Sequence, residues 1–350
     1  MIRTTSKGGI FSAVAMFLVL GLTGCGTASN HGPKASQEAA NYFKDKTLTL
    51  IAPDKPGGGY DRWDRLIAPY LAQVLHAQVR VVNYPGAGTI VGTNILAAAP
   101  PNGLTIGDVD VGGDIGNLLT HGTGEQFNLT KLSWIGAGVD APVAIFARSQ
   151  SSIKTFSDLL RLKNTGTPVR VLDVASGVGL LTTRVVMNAF HIPYTLLTGY
   201  SSDSSLKAGF LRGDGQLAAS TFSSWRSLIK GGTAVPLLVT ELDPTWTGHP
   251  QVLTLGKVMS QTHLSSSTRR ALTTVAQMDL LSFDLAGPAN MPKDRWTVLH
   301  RAFRDVLHNQ KFIAQAKKEG LALHYVGGAT LAKTVAQTYV QRSLISEYIK

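Results

Sequence analysis

Apolar positions along the chain follow two rhythms: short unbroken runs, and longer stretches in which they recur every three or four residues. Leu48, Leu50 and Ile51 form the first run, which reads as a buried parallel strand ended by Pro53. From about Asp61 the rhythm changes, and Trp63, Leu66, Ile67, Tyr70, Leu71, Val74 and Leu75 fall on one helical face. Pro69 lies inside that pattern, where its ring removes the hydrogen bond to the carbonyl of Arg65, so a kink is expected. A strand over 78–82, a small-residue helix over 91–99 and a strand over 104–109 continue the alternation, which predicts a parallel sheet covered on both faces.

The middle of the chain repeats the scheme. Strands are expected at 143–147, 169–174, 196–200, 216–221 and 236–240, with helical segments at 156–162 and 206–211 and a helix carrying Leu180, Leu181, Val185 and Ala189. Near 280–285 the chain returns to the first lobe, and helices follow at 293–307, 311–319 and 331–349. Two crossings between lobes make a hinge, and a hinge permits closure over a ligand.

Glycine-rich loops follow several of these strands. Gly57, Gly58 and Gly59 let the backbone turn its N–H groups inward with no Cβ in the way, and the helix behind adds the positive end of its dipole. That loop, with Tyr60 and Asp61, suits an anion. Gly86, Ala87 and Gly88 form a second such loop, and Ser176, Gly177, Val178 and Gly179 a third, in the other lobe. Loops of this kind lie at the strand ends where open α/β sheets bind ligands. The second loop also invites a dinucleotide reading, since Asp108 follows about twenty residues on, but Gly92 comes one residue late and Pro85 interrupts the turn.

Export changes the picture at the N-terminus. Arg3 and Lys7 precede a largely apolar run from Ile10 to Leu20, too short for an ordinary membrane span, and Leu22-Thr23-Gly24-Cys25 closes it. This pattern resembles a lipobox, with residues 1–24 removed and Cys25 acylated. Cys25 is the single cysteine of the 350 residues, so no internal disulfide forms. Residues 25–44 are read as a flexible tether with a reach of roughly 25 Å. The net charge of +11 is dispersed, with Arg269-Arg270 and Lys317-Lys318 as its tightest clusters, which argues against nucleic-acid binding. Neither a hydrolase elbow, a zinc-protease motif nor a Walker loop occurs, and the nine histidines lack metal-ligand spacing. No enzyme, cofactor or metal is therefore expected. Asp61 and Asp64, three residues apart, are read as acids favouring the dipole of a helix's first turn, more firmly for Asp64.

An ordered set of motifs carries a family resemblance. Pro56-Gly57-Gly58-Gly59-Tyr60-Asp61 with Arg65, then Asn83-x-Pro85-Gly86-Ala87-Gly88, then Ala99-Pro100-x-Asn102-Gly103-Leu104-Thr105-Ile106 resemble the successive motifs of the substrate-binding proteins of tripartite tricarboxylate transporters, the TctC or Bug family. Leu132-Ser133-Trp134-Ile135-Gly136, Gly199-Tyr200, Leu211-Arg212-Gly213-Asp214-Gly215 and Arg301-Ala302-Phe303 continue it in order along almost the whole mature chain. Asn102 stands where the family usually has Asp, and the run Ser201-Ser202-Asp203-Ser204-Ser205 departs from the family loop. The resemblance implies a two-lobed periplasmic-binding-protein-like fold of type II, each lobe a mostly parallel α/β sheet flanked by helices. Lobe 1 would comprise 45–140 and 279–350, and lobe 2 would comprise 141–278. A small organic acid would bind at Gly57–Asp61, Gly86–Gly88, Ser176–Gly179 and the loop of Tyr200, Ser201, Ser202 and Asp203. The partner implied is a membrane permease of a large and a small integral subunit. A sensory protein presenting its ligand to a receptor would use the same cleft, and a dinucleotide-dependent oxidoreductase is the remaining alternative.

Overall fold

The computed structural model describes residues 41–119, 124–174, 177–241, 252–281 and 283–349. The expected signal segment, Cys25 and most of the tether lie outside the described residues. So does Ser176. Among the described residues no helix is long and apolar enough to cross a membrane. The folded body already includes Phe43, which is completely buried although it falls within the span read as tether.

The first lobe opens β1 (Thr47–Ala52), α1 (Gly59–Leu75), β2 (Gln78–Asn83), α2 (Ile90–Ala98), β3 (Thr105–Val109), α3 (Val111–Leu119) and β4 (Ser133–Asp140). The second lobe contributes β5 (Val143–Arg148), α4 (Phe156–Arg161), β6 (Val169–Val174), α5 (Val178–Ala189), β7 (Tyr194–Tyr200), α6 (Asp203–Arg212), β8 (Leu217–Thr221), α7 (Arg226–Lys230), β9 (Ala234–Val239), α8 (Leu255–Gln261) and α9 (Ser266–Asp279). The chain then returns through β10 (Asp284–Gly287), α10 (Lys293–Leu307), α11 (Gln310–Glu319), β11 (Ala322–Gly327) and α12 (Gly328–Gln341).

Two sheets result, one per lobe, in the orders β11-β4-β10-β3-β1-β2 and β7-β6-β8-β5-β9. Both are mixed. β1 runs parallel to β2 and β3, and β6 parallel to β7 and β8, whereas β10 is antiparallel to both its neighbours and β5 likewise. β5 and β10, which enter a lobe from the other one, run against its parallel set, and so does β11, antiparallel to β4, so the sequence alternation alone overstated the parallel share. α1 runs through Pro69 as one helix from Gly59 to Leu75. The terminal helix stops at Gln341, and a 3-10 stretch, Arg342–Tyr348, brings the chain back to lobe 2, where Arg184 and Asn188 donate to the carbonyls of Ile349 and Tyr348.

Apolar periodicity accounts for the core. Trp63, Ile67 and Leu71 of α1 pack with Phe303 of α10 and Phe312 of α11 on one face of the first sheet, Trp63 meeting Phe312 edge-on at 5.9 Å. On its other face Ile51 and Val109 join α3, α5 and α9 in a cluster that continues into the second sheet.

The core also holds acids. Asp64 and Asp108 are completely buried, and Asp64 is therefore no surface acid favouring a dipole, as the sequence suggested. Their carboxyl oxygens find no hydrogen-bond partner in the rest of the fold. Burial first, then the presence of Asp108, pushes Asp64 well above the carboxylate range, and burial raises Asp108 too. Asp110 caps α3, accepting the Gly113 N–H at 3.0 Å, and burial raises it to about 7. Burial raises Asp279, held by the Thr182 hydroxyl, to about 8. Raised carboxyl pKa values mean that the fold binds more protons than the unfolded chain between about pH 4 and pH 8. Stability therefore falls as pH rises through that window.

Two measurements check this account. Phe303→Ala empties a site with no exposure and should cost about 3–5 kcal/mol in chemical denaturation. The melting temperature should be lower at pH 8.5 than at pH 5, and Asp110→Asn, which keeps the capping oxygen, should flatten the dependence by about 1.4 kcal/mol per pH unit. An unchanged pH slope in that variant would assign the dependence to other groups.

Candidate functional site

A cavity of about 400 Å³ lies between the lobes. Pro53, Asp54, Lys55, Tyr60 and the turn Pro85–Thr89 form its first-lobe wall, and Asp173, Val174, Val178, Gly179, Tyr200–Asp203, Leu206 and Ala219–Thr221 form the other. The wall residues follow β1, β2, β6, β7 and β8, at the strand ends where the sequence placed the binding edge. Four helices begin at or beside it: α1 at Gly59, α2 after the turn, α5 at Val178 and α6 at Asp203. The first amides of a helix have no carbonyl one turn back to bind, and the dipole adds positive potential there.

Ten of the expected ligand residues line this cavity: Tyr60, Gly86, Ala87, Gly88, Val178, Gly179, Tyr200, Ser201, Ser202 and Asp203. Gly177 is the N-cap of α5, with φ +110°. Gly57, Gly58 and Asp61 do not line it, and Gly59 faces a different space.

The turn before α2 is conformationally unusual. Gly86, Ala87, Gly88 and Thr89 all have positive φ, at 144°, 46°, 66° and 105°. For Thr89, a β-branched residue, that is strained, and the strain is held by a Thr89 hydroxyl bond to buried Asp114 at 3.3 Å. Ala87 is exposed at the cavity edge.

The glycine loop differs from the sequence expectation. Gly57 N–H donates to Asp61 Oδ2 at 2.8 Å, and Gly58 N–H to the Lys55 carbonyl at 2.9 Å. The Gly59 amide donates to the Asp54 carboxylate, which also accepts the Lys55 N–H at 2.7 Å. All three glycine amides are thus partnered within the loop. Asp61 further accepts from Arg65 and Asn83, each at 2.8 Å, and Asn83 donates to the Asp54 carbonyl, so Asp61 clamps the ends of β1 and β2 to α1. Its hydrogen bonds with Arg65, Gly57 and Asn83 outweigh desolvation and lower its pKa. Asp54 and Lys55 are wall residues that the pattern reading passed over, although a charged pair between a strand and three glycines was visible.

The lobe-2 wall is also tied internally. Ser202 caps α6, accepting the Ser205 N–H at 3.2 Å. Asp203 accepts from Ser220 at 2.7 Å and Trp225 Nε1 at 2.9 Å, and pairs with Lys207. Tyr200 donates its hydroxyl to Asp214 at 2.7 Å, leaving its ring toward the cavity. Asp173 is fully buried, and burial raises its pKa well above the carboxylate range despite the Thr183 hydroxyl bond. Lys55 Nζ reaches Ser201 Oγ across the lobes at 3.4 Å.

A second, wider crevice of about 510 Å³ runs between Arg62 and Arg65 of α1, Ser223, Ser224 and Arg226, and Gln315 and Glu319 of α11. Tyr60 faces the cavity, and Phe283, its ring tilted against that of Tyr60 at 4.8 Å, faces the crevice. The smaller cavity is the better candidate because the helix starts open onto it. Among the described residues no group of three or more His, Cys, Asp or Glu is placed to hold a metal.

No family model matches the chain. A curated relative, the UPF0065 protein in the tcbD-tcbE intergenic region of Pseudomonas sp. strain P51, is 25% identical over 228 residues, 60% of this chain. The chain spans 61% of that relative's length. Solved structures match more fully. A TctC solute binding protein from Polaromonas covers 86% of this chain and 98% of its own at a TM-score of 0.64 and 18% identity. Rhodopseudomonas palustris Rpa4515 with adipate covers 87% and 97% at a TM-score of 0.73 and 16% identity. The chain therefore has the two-lobed fold of TctC-type solute-binding proteins.

Proposed function

We propose that this protein is an extracytoplasmic solute-binding protein that captures a small organic acid between its lobes and delivers it to a tripartite tricarboxylate-type transporter. The observation that carries the reading is the gathering of four helix N-termini around one cavity between the lobes. The ordered motifs and the TctC-type fold support it, as does the adipate in the R. palustris neighbour.

The guest carboxylate meets the amides at the start of α5, Val178 and Gly179, and those of Ala87 and Gly88. Charged hydrogen bonds contribute about 1.5–3 kcal/mol each and a helix dipole about 0.3–2 kcal/mol, so a few of them support micromolar binding after ordering costs. Only a closed arrangement lets one guest touch both walls, so binding favours closure. The protein performs no chemistry on its guest. Cys25 carries the lipid anchor and residues after it the tether, which keep the body in the periplasm or at the outer face of the cell membrane.

A thermal-shift screen over mono-, di- and tricarboxylates tests the reading. At least one acid should raise the melting temperature. Ala87→Glu, which adds a carboxylate at an exposed position already in the left-handed region, should weaken that acid at least tenfold while leaving the empty protein's melting temperature nearly unchanged. A dinucleotide shift with none from any acid would favour the oxidoreductase reading instead.

A further inference from the structure

Asp54 sits where a guest carboxylate was expected. Its side chain lies flat on the glycine loop: a Cβ at Gly58 would stand 1.8 Å from Asp54 Oδ2 and 2.2 Å from its Cγ. Gly58 is thus bare so that the protein's own carboxylate can occupy the loop. With the Lys55 and Gly59 amides on Asp54, and Gly57 on Asp61, the loop's donors are spent. What this wall offers a guest is a half-buried carboxylate, an acceptor.

A second acid faces the same cavity from the other lobe. Asp203 is fixed in place by Ser220, Trp225 and Lys207. Burial raises the Asp54 pKa most, the Lys55 and Gly59 amides lower it, and Asp203 and Asp61 add to the rise. The ammonium of Lys55 is exposed and directed at Ser201. Asp61 is already offset by Arg65, and Asp203 by Lys207. Closing the lobes on a plain dicarboxylate would bring its second carboxylate against Asp54, a like charge in the cavity wall. A guest that carries a cation relieves Asp54.

We propose that Asp54 is the specificity-determining residue of the cavity, and that it selects acids which also bear an ammonium group, the ammonium lying against Asp54 and the carboxylate on the amides of α5 and those of Ala87 and Gly88. This rests on the carboxylate-capture reading. Asp54 holds the recognition loop in shape and sets the sign of charge the guest must present to it.

Calorimetric titration of the full chain with matched acids tests it: glutamate against glutarate, aspartate against succinate, alanine against propionate. The amine-bearing member of at least one pair should bind at least tenfold tighter. In Asp54→Asn that preference should fall below threefold, with the plain acid gaining. If the wild type binds plain acids as well as or better than their amine-bearing partners, the assignment is wrong while carboxylate capture stands, and this comparison does not depend on the variant folding. An undiminished preference in a folded Asp54→Asn also overturns it. Binding of no acid of either kind would overturn both this inference and the capture reading.

Discussion

The first turn of an α-helix always has more donors than the helix can use, and this protein directs four such turns at one space between two lobes. The remaining architecture is arranged to make that possible. Parallel strands release the chain at one edge of each sheet, the glycine and serine turns reverse it, and helices α1, α2, α5 and α6 begin there. Positive potential then arises from backbone alone. Because it is built into the main chain, side chains on the walls are left to shape the space and set its charge.

That division explains the loop at Gly57–Gly59. Its glycines suggest a socket for a guest anion, yet Asp54 and Asp61 fill it with the chain's own carboxylates, one lying toward the cavity and one clamping β1, β2 and α1 through Arg65 and Asn83. The same donors that would bind a substrate are used to hold the recognition wall in a fixed shape. The second lobe does likewise, with Asp203 anchoring Trp225 and Ser220. The acids at this site therefore have structural and electrostatic consequences together.

Most of the strand and helix pattern was legible because apolar runs and three-to-four-residue recurrence report burial directly. Trp63, Phe303 and Leu299 stand in the core where that periodicity puts them. The loops at Gly86–Gly88, Val178–Gly179 and Tyr200–Asp203 were visible as glycine or serine clusters at strand ends, and they line the cavity. What periodicity does not encode is where a polar side chain turns. Asp64 looks like a surface acid of a first turn and is wholly buried against Asp108, since a carboxyl can enter a core by keeping its proton. Asp54 looks like a loop residue and folds back over Gly58. The antiparallel partners of β5 and β10 were hidden for another reason: their direction depends on which lobe the chain comes from.

The start of α3 meets the start of α5 along bare main chain. A side chain at Gly112 would come within 2.6 Å of Val178 and of the Met278 carbonyl, and one at Gly113 within 2.8 Å of the Gly177 Cα. The two halves thus touch through the glycine main chain of α3, set in the apolar cluster that Val111, Ile115, Val178 and Leu181 share. Any residue larger than glycine at this point would act as a wedge, prising the two helix starts apart and opening a gap in the cluster that joins the sheets.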